Sequence, residues 1–125
     1  MDPRIETVIK LMRDNYGHDL ALTQMAQSAH LSSSRLRHML KAETGTTPTQ
    51  YLHSLRMQHA KELLGATFLT VKEIMVRVGM HDESHFVRDF KRAWGLTPSR
   101  YRKTYGTSSP ELIASTFTIA TLANK

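Results

Sequence analysis

The sequence predicts an all-α fold in which one helical unit is used twice, and three observations carry that prediction. Apolar residues recur at three- and four-residue spacing through most of the 125-residue chain, the period of one face of a helix. The segments so marked are bounded by residue types that start and stop helices. The second half repeats the first at an offset close to 50 residues.

At the start of the chain, Asp2 stands as an N-cap before Pro3 at the first helical position, and Ile5, Val8, Ile9 and Met12 form one apolar stripe. That helix is expected to end between Asn15 and Gly17. Thr23 is the candidate N-cap of a short helix over Gln24 to Ala29, with Met25, Ala26 and Ala29 turned inward. His30-Leu31-Ser32 turns the chain into a helix from Ser33 to Glu43 that buries Leu36, Met39 and Leu40. Pro48 opens a long helix to about Leu64, whose Tyr51, Leu52, Leu55, Ala60, Leu63 and Leu64 can face a core, with Gly65 as its closing glycine.

From Thr70 the plan recurs. Val71, Ile74, Met75 and Val78 mark a short helix, Gly79 to Asp82 a turn, and Ser84 to Ala93 a helix with Phe86, Phe90 and Ala93 inward. Two short helices joined by a tight turn make a helix-turn-helix. The expected organisation is a first such sub-domain over 1–47, a linker helix over 48–65, a second sub-domain over 66–106 and a tail over 107–125, rich in Ser, Thr and Ala. Within that tail, Pro110 to Leu122 is a candidate for one more helix.

The repeat is specific. Ser34/Ser84, Leu36/Phe86, Leu40/Phe90, Lys41/Lys91, Gly45/Gly95, Thr47/Thr97, Pro48/Pro98 and Tyr51/Tyr101 all pair at an offset of 50. Upstream, Leu22/Val71, Met25/Ile74, Ala26/Met75, Ala29/Val78 and Leu31/Met80 pair at 49, which places one extra residue in the second turn. Amphipathicity alone would align apolar positions, but not a shared Gly-x-Thr-Pro-x-x-Tyr.

Seventeen Lys and Arg against eleven Asp and Glu give a formal charge of +6, a balance that favours a polyanionic partner, nucleic acid first. The absence of Cys excludes disulfides, thiolate zinc sites and Cys nucleophiles. No apolar run approaches a membrane span and the first residues are charged, so a cytoplasmic, nucleoid-associated protein is expected. His81 and His85 have metal-ligand spacing but no third ligand of the right kind on their face, so no metal and no cofactor is expected. Scattered carboxylates and the lack of a Gly-rich phosphate loop argue against an enzyme.

Tyr51-Leu52-x-x-x-Arg56-Met57-x-x-Ala60-x-x-Leu63-Leu64 resembles the linker helix of the AraC/XylS family of transcription regulators. Ile74-x-x-x-Val78-Gly79-Met80, followed by Ser84-x-Phe86-x-Arg88-x-Phe90-Lys91-x-x-x-Gly95-x-Thr97-Pro98-x-x-Tyr101-Arg102, resembles the family's second unit. The resemblance covers roughly residues 4 to 105. Met80 departs from the aromatic usual after the Val-Gly pair, a change that touches packing. The resemblance implies two three-helix sub-domains bridged by the long helix, with both recognition helices in successive major grooves of double-stranded promoter DNA. One turn of B-DNA is about 34 Å, the separation such a linker would hold. It also implies RNA polymerase as a partner. The chain is expected to be either a stand-alone member that binds as a monomer or the C-terminal part of a larger regulator with a sensor or dimerisation domain, and the opening at Asp2-Pro3-Arg4-Ile5, which looks like a start just after a linker, favours the second. A protein-interaction module that recruits RNA polymerase, with incidental DNA affinity, is the alternative.

Steps of about 100° per residue put Arg37, His38 and Lys41 within about 60° of Ser34, opposite Leu36, Met39 and Leu40. The same construction leaves Ser84, Val87, Arg88 and Lys91 outward on the second helix, with His85 on the flank. Arg37 and Arg88 are the first candidates for base contacts, because a guanidinium bonds guanine O6 and N7 together. Ser34, His38, Ser84 and His85 complete the base-reading set. Glu83 is read as a helix-start carboxylate. Lys41, Lys91, Arg92, Arg100, Arg102 and Lys103 are assigned to the DNA backbone, and Arg56 to a structural bridge between sub-domains.

Overall fold

A computed structural model describes residues 1–106, and all seven elements in that span are α-helices. They are α1 (Pro3–Asp14), α2 (Leu22–Ser28), α3 (Ser33–Thr44), α4 (Pro48–Ala66), α5 (Val71–Arg77), α6 (Glu83–Trp94) and α7 (Pro98–Tyr105). The candidate helix at 110–122 lies outside the described residues. The chain divides into two compact units at Arg56 and Met57, inside α4, so that each half of this linker helix serves one helix-turn-helix sub-domain.

In the first unit, Ile5, Val8, Ile9 and Met12 of α1 pack with Met25, Ala26, Ala29, Leu36, Leu40 and Leu52 in one buried cluster. The helix starts follow from local chemistry. The Asp2 carboxylate accepts the Arg4 N–H at 2.8 Å and the Ser32 hydroxyl accepts that of Arg35 at 3.1 Å. At α4, Thr47 and Gln50 exchange side-chain and backbone bonds of 3.2 and 3.1 Å. The expected cap at Thr23 is corrected: α2 begins earlier, after Ala21, whose N–H donates to the Gln24 side chain at 2.8 Å. Gln24 reaching back over the first turn leaves Thr23 inside the helix.

In the second unit, Met57, Ala60, Leu64, Ile74, Met75, Val78, Phe86 and Phe90 are buried. Phe90 meets Tyr101 of α7 edge-on at 5.8 Å, which anchors the closing helix to the recognition helix. Thr70 and Glu73 form a capping box, and Asp82 accepts the His85 N–H at 2.9 Å. Two expectations are corrected here. Ala93 is exposed rather than inward, since Phe86 and Phe90 already fill the buried face. Gly65 does not close α4, which runs one residue further. The terminal carbonyls find partners elsewhere: Leu63 accepts from the Thr67 hydroxyl at 2.7 Å and Leu64 from Arg102 at 3.3 Å.

The repeat is realised in the backbone. The pattern of burial over 41–50 recurs position for position over 91–100, and the helices of the two units are offset by 49 before the turn and by 50 after it. The turns match as well, with Leu31 bonded to the Ala26 carbonyl at 2.9 Å and Met80 to that of Met75 at 3.0 Å. Both turns need a left-handed residue. Gly79 supplies it at φ 84° and His30 at φ 57°, where a side chain is strained.

Candidate nucleic-acid interface

Each recognition helix is held by its buried face and offers the opposite one. On α3, Leu36 and Leu40 are wholly buried, and the three-and-four spacing of a helix therefore exposes Ser34, Arg37, His38 and Lys41 together. On α6, Phe86 and Phe90 are wholly buried, while Ser84, His85, Arg88, Lys91 and Arg92 are exposed and Val87 is half-buried at their edge. The exposed Arg88 guanidinium touches the half-buried carboxylate of its neighbour Asp89 at 3.4 Å, a long contact. The Asp82 carboxyl at the start of α6 is held below the usual range, first by the His85 N–H it accepts.

The cations assigned to the DNA backbone separate into two groups. Lys41, Lys91, Arg92, Arg100 and Lys103 are exposed. Arg102 is not: its guanidinium donates to the carbonyls of Leu64 at 3.3 Å, of Thr67 at 3.2 Å and of Leu69. Burial pushes its pKa down, yet it has five donors and three are spent within the second unit. Arg56 does the same in the first unit, donating to Tyr16 at 2.8 Å and His18 at 2.9 Å. It is a structural residue, but it fastens a loop of its own unit rather than bridging two. In both units an arginine from the helix that follows the recognition helix ties down the loop that precedes the helix-turn-helix.

A further support was missed in the sequence. The Trp94 indole N–H donates to the Met57 carbonyl at 3.0 Å, and Lys61 lies 3.7 Å over the ring, so the end of α6 is bolted to the second half of α4. His81 lies in the turn and His85 in the helix, so their spacing does not place them on one helical face. Among the described residues no group of three or more His, Asp or Glu is placed to hold a metal ion, and no helix is long and apolar enough to cross a membrane.

A family profile described as a helix-turn-helix domain matches residues 25–104, spanning α3 to α6 entire. The chain belongs to the AraC/XylS family. Among its AraC-type relatives is the RCS-specific HTH-type transcriptional activator RclR of Escherichia coli, 34% identical over 103 residues, covering 82% of this chain and 36% of the relative. The HTH-type transcriptional activator RhaR of Salmonella schwarzengrund is 33% identical over 98 residues, covering 78% and 35%. The chain thus spans about a third of the length of the curated relatives it matches. Of solved structures, the C-terminal domain of AraT, a response regulator from Geobacillus stearothermophilus, superposes with a TM-score of 0.82 at 32% identity, covering 87% of this chain and 91% of that one. The DNA-binding domain of AdpA, a global transcriptional factor solved in complex with a target DNA, reaches 0.77 at 26% identity, covering 84% and 94%.

Proposed function

We propose that this chain binds double-stranded promoter DNA in a sequence-specific way and seats a transcription regulator there, with α3 and α6 entering successive major grooves. The observation that carries the reading is the doubled face: two helices whose one side is fixed by fully buried residues and whose other side offers Ser34, Arg37, His38 and Lys41, and Ser84, His85, Arg88 and Lys91. The AdpA domain, of the same fold, was solved on its target DNA, which supports DNA as the partner.

Within this reading, Arg37 and Arg88 bond guanine edges, each discriminating by about 1 to 3 kcal/mol, and Ser34, His38, Ser84 and His85 make the accompanying base contacts. Lys41, Lys91, Arg92, Arg100 and Lys103 set register on phosphates. Arg102 stands apart from them, since three of its five guanidinium donors are bonded to carbonyls and its first role is structural. The chain works without metal or cofactor and as a regulator rather than an enzyme, in the cytoplasm on the nucleoid. RNA polymerase is the second partner, a role supported by the names of RclR and RhaR as activators and by the exposed apolar side chains of Phe68 and Val76 in the second unit. A sensor or dimerisation domain would share the polypeptide of the whole regulator.

Selection of a binding site from random duplexes with the whole chain, followed by fluorescence anisotropy across a salt series, tests the reading. The expected result is an asymmetric site with two boxes about one helical turn, ~34 Å, apart. With roughly five to ten phosphate contacts the log-log salt slope is about −5 to −9. Equal affinity for the selected and a scrambled duplex would refute it.

A further inference from the structure

We infer that Val87 is a specificity-determining residue that reads the 5-methyl group of a thymine beside the guanine assigned to Arg88; this rests on the proposed function, with α6 as a major-groove helix. Val87 follows Ser84 by three residues and precedes Phe90 by three, so it lies about 60° from each, at the edge where the outward face of α6 meets the buried one. Together with Glu83, Ser84 and Arg88 it lines a shallow open hollow on that surface. Its isopropyl group is thus half-buried at the edge of the reading face, beside side chains that are otherwise polar or charged.

A β-branched residue here is not explained by the helix. Valine loses χ1 freedom in a helix and forms one less readily than alanine or the long straight side chains do. In the first unit the same position of the repeat is Arg37, with five donors, whereas Val87 can neither donate nor accept. Of the groups that bases present in the major groove, only the thymine methyl is apolar, and it is the one that an isopropyl group complements. Guanine beside thymine is therefore the step expected under Arg88 and Val87.

The test uses the whole chain and the duplex recovered by selection. Each thymine of the box whose preference Arg88→Ala relaxes is replaced in turn by deoxyuridine, which removes only the methyl group and keeps every hydrogen-bonding atom. Anisotropy titrations then compare the native chain with Val87→Ala, whose helix content is checked by circular dichroism. One replacement is expected to weaken the native chain about four-fold, the effect of leaving one methyl group unburied. Val87→Ala should bind the thymine duplex about that much more weakly and should not notice the same replacement. A box without thymine, or a replacement that weakens both proteins equally, overturns the inference while leaving the function intact. Loss of the preference for the selected duplex in the native chain would instead remove the function on which it rests. Were Val87→Ala to lose helix, Val87→Gln, a strong helix former without a branched apolar group, replaces it in the same comparison, and a sensitivity to deoxyuridine equal to that of the native chain overturns the inference.

Discussion

Replacing Arg102 by alanine separates two roles that a cation on α7 can play. The guanidinium donates to three carbonyls at the end of α4 and in the segment leading to α5. Hydrogen bonds to a charged group contribute about 1.5 to 3 kcal/mol each. The site is only half-buried, so water takes over part of the lost bonding and the total falls to about 2 to 3 kcal/mol. For a chain of this size that corresponds to a lowering of Tm by about 10 °C, readable by far-ultraviolet circular dichroism, with a matching fall in the urea midpoint. Arg102→Lys should recover little, since an ammonium cannot span three carbonyls as a planar fork does. Salt-dependent DNA binding supplies the second readout. A clamp leaves the salt slope unchanged under conditions where the variant is folded, whereas a phosphate contact flattens it by about one. The neighbouring Lys103→Ala should behave in the opposite way, keeping stability within about 0.5 kcal/mol and flattening the slope by about one. An Arg102→Ala chain as stable as the native one, with a slope flatter by one, would refute the clamp.

The exposed faces of the recognition helices and the turn between α2 and α3 give further expectations. Arg88→Ala should relax the preference at one base position by about 1 to 3 kcal/mol, and Lys91→Ala should weaken selected and random duplexes alike; equal losses on both duplexes for Arg88→Ala would count against its reading role. His30→Gly should raise stability by about 0.5 kcal/mol, because release of a side chain at φ 57° outweighs the added freedom of the unfolded chain. At the matching position Gly79→Ala, at φ 84°, should lower stability by about 1 kcal/mol or more, and urea midpoints that moved the other way for either variant would show that the turns are not strained as described.

What was legible in the sequence is what depends on periodicity and local capping. The stripes Ile5, Val8, Ile9, Met12 and Ile74, Met75, Val78 can face only one way on a helix, and the offset of 49 changing to 50 located the longer second turn. The outward positions of α3 and α6 followed from the same arithmetic. What escaped depends on partners far along the chain. Arg56 and Arg102 reach carbonyls 33 to 40 residues away, and no local pattern announces such a contact. Arg102 stands among Arg100 and Lys103, where a row of cations reads as a solvated face. The ending of α4 was misread for a related reason: glycine is the usual local stop, but Thr67 and Arg102 satisfy the last carbonyls without a left-handed residue. The nine-residue step from Thr47 to Arg56 and the five-residue step from Thr97 to Arg102 also differ, so the repeat could not reveal that both arginines do one job.

The way the two units agree and differ bears on what the doubled face can do. They agree at Ser34/Ser84 and Lys41/Lys91, and at the glycine, threonine and proline that close each recognition helix. They differ at every position between those serine and lysine pairs that faces outward: Arg35 against His85, Arg37 against Val87, His38 against Arg88. Lysine at the end of the face carries charge without sequence information, so on the proposed function the shared lysine should give both units the same kind of phosphate contact. The differing side chains carry distinct donor and apolar groups, so each unit should prefer its own box. A dimer of identical subunits reads a palindrome and has no direction on DNA. On the proposed function, one chain with two unlike readers should select an asymmetric site and bind it in a single orientation.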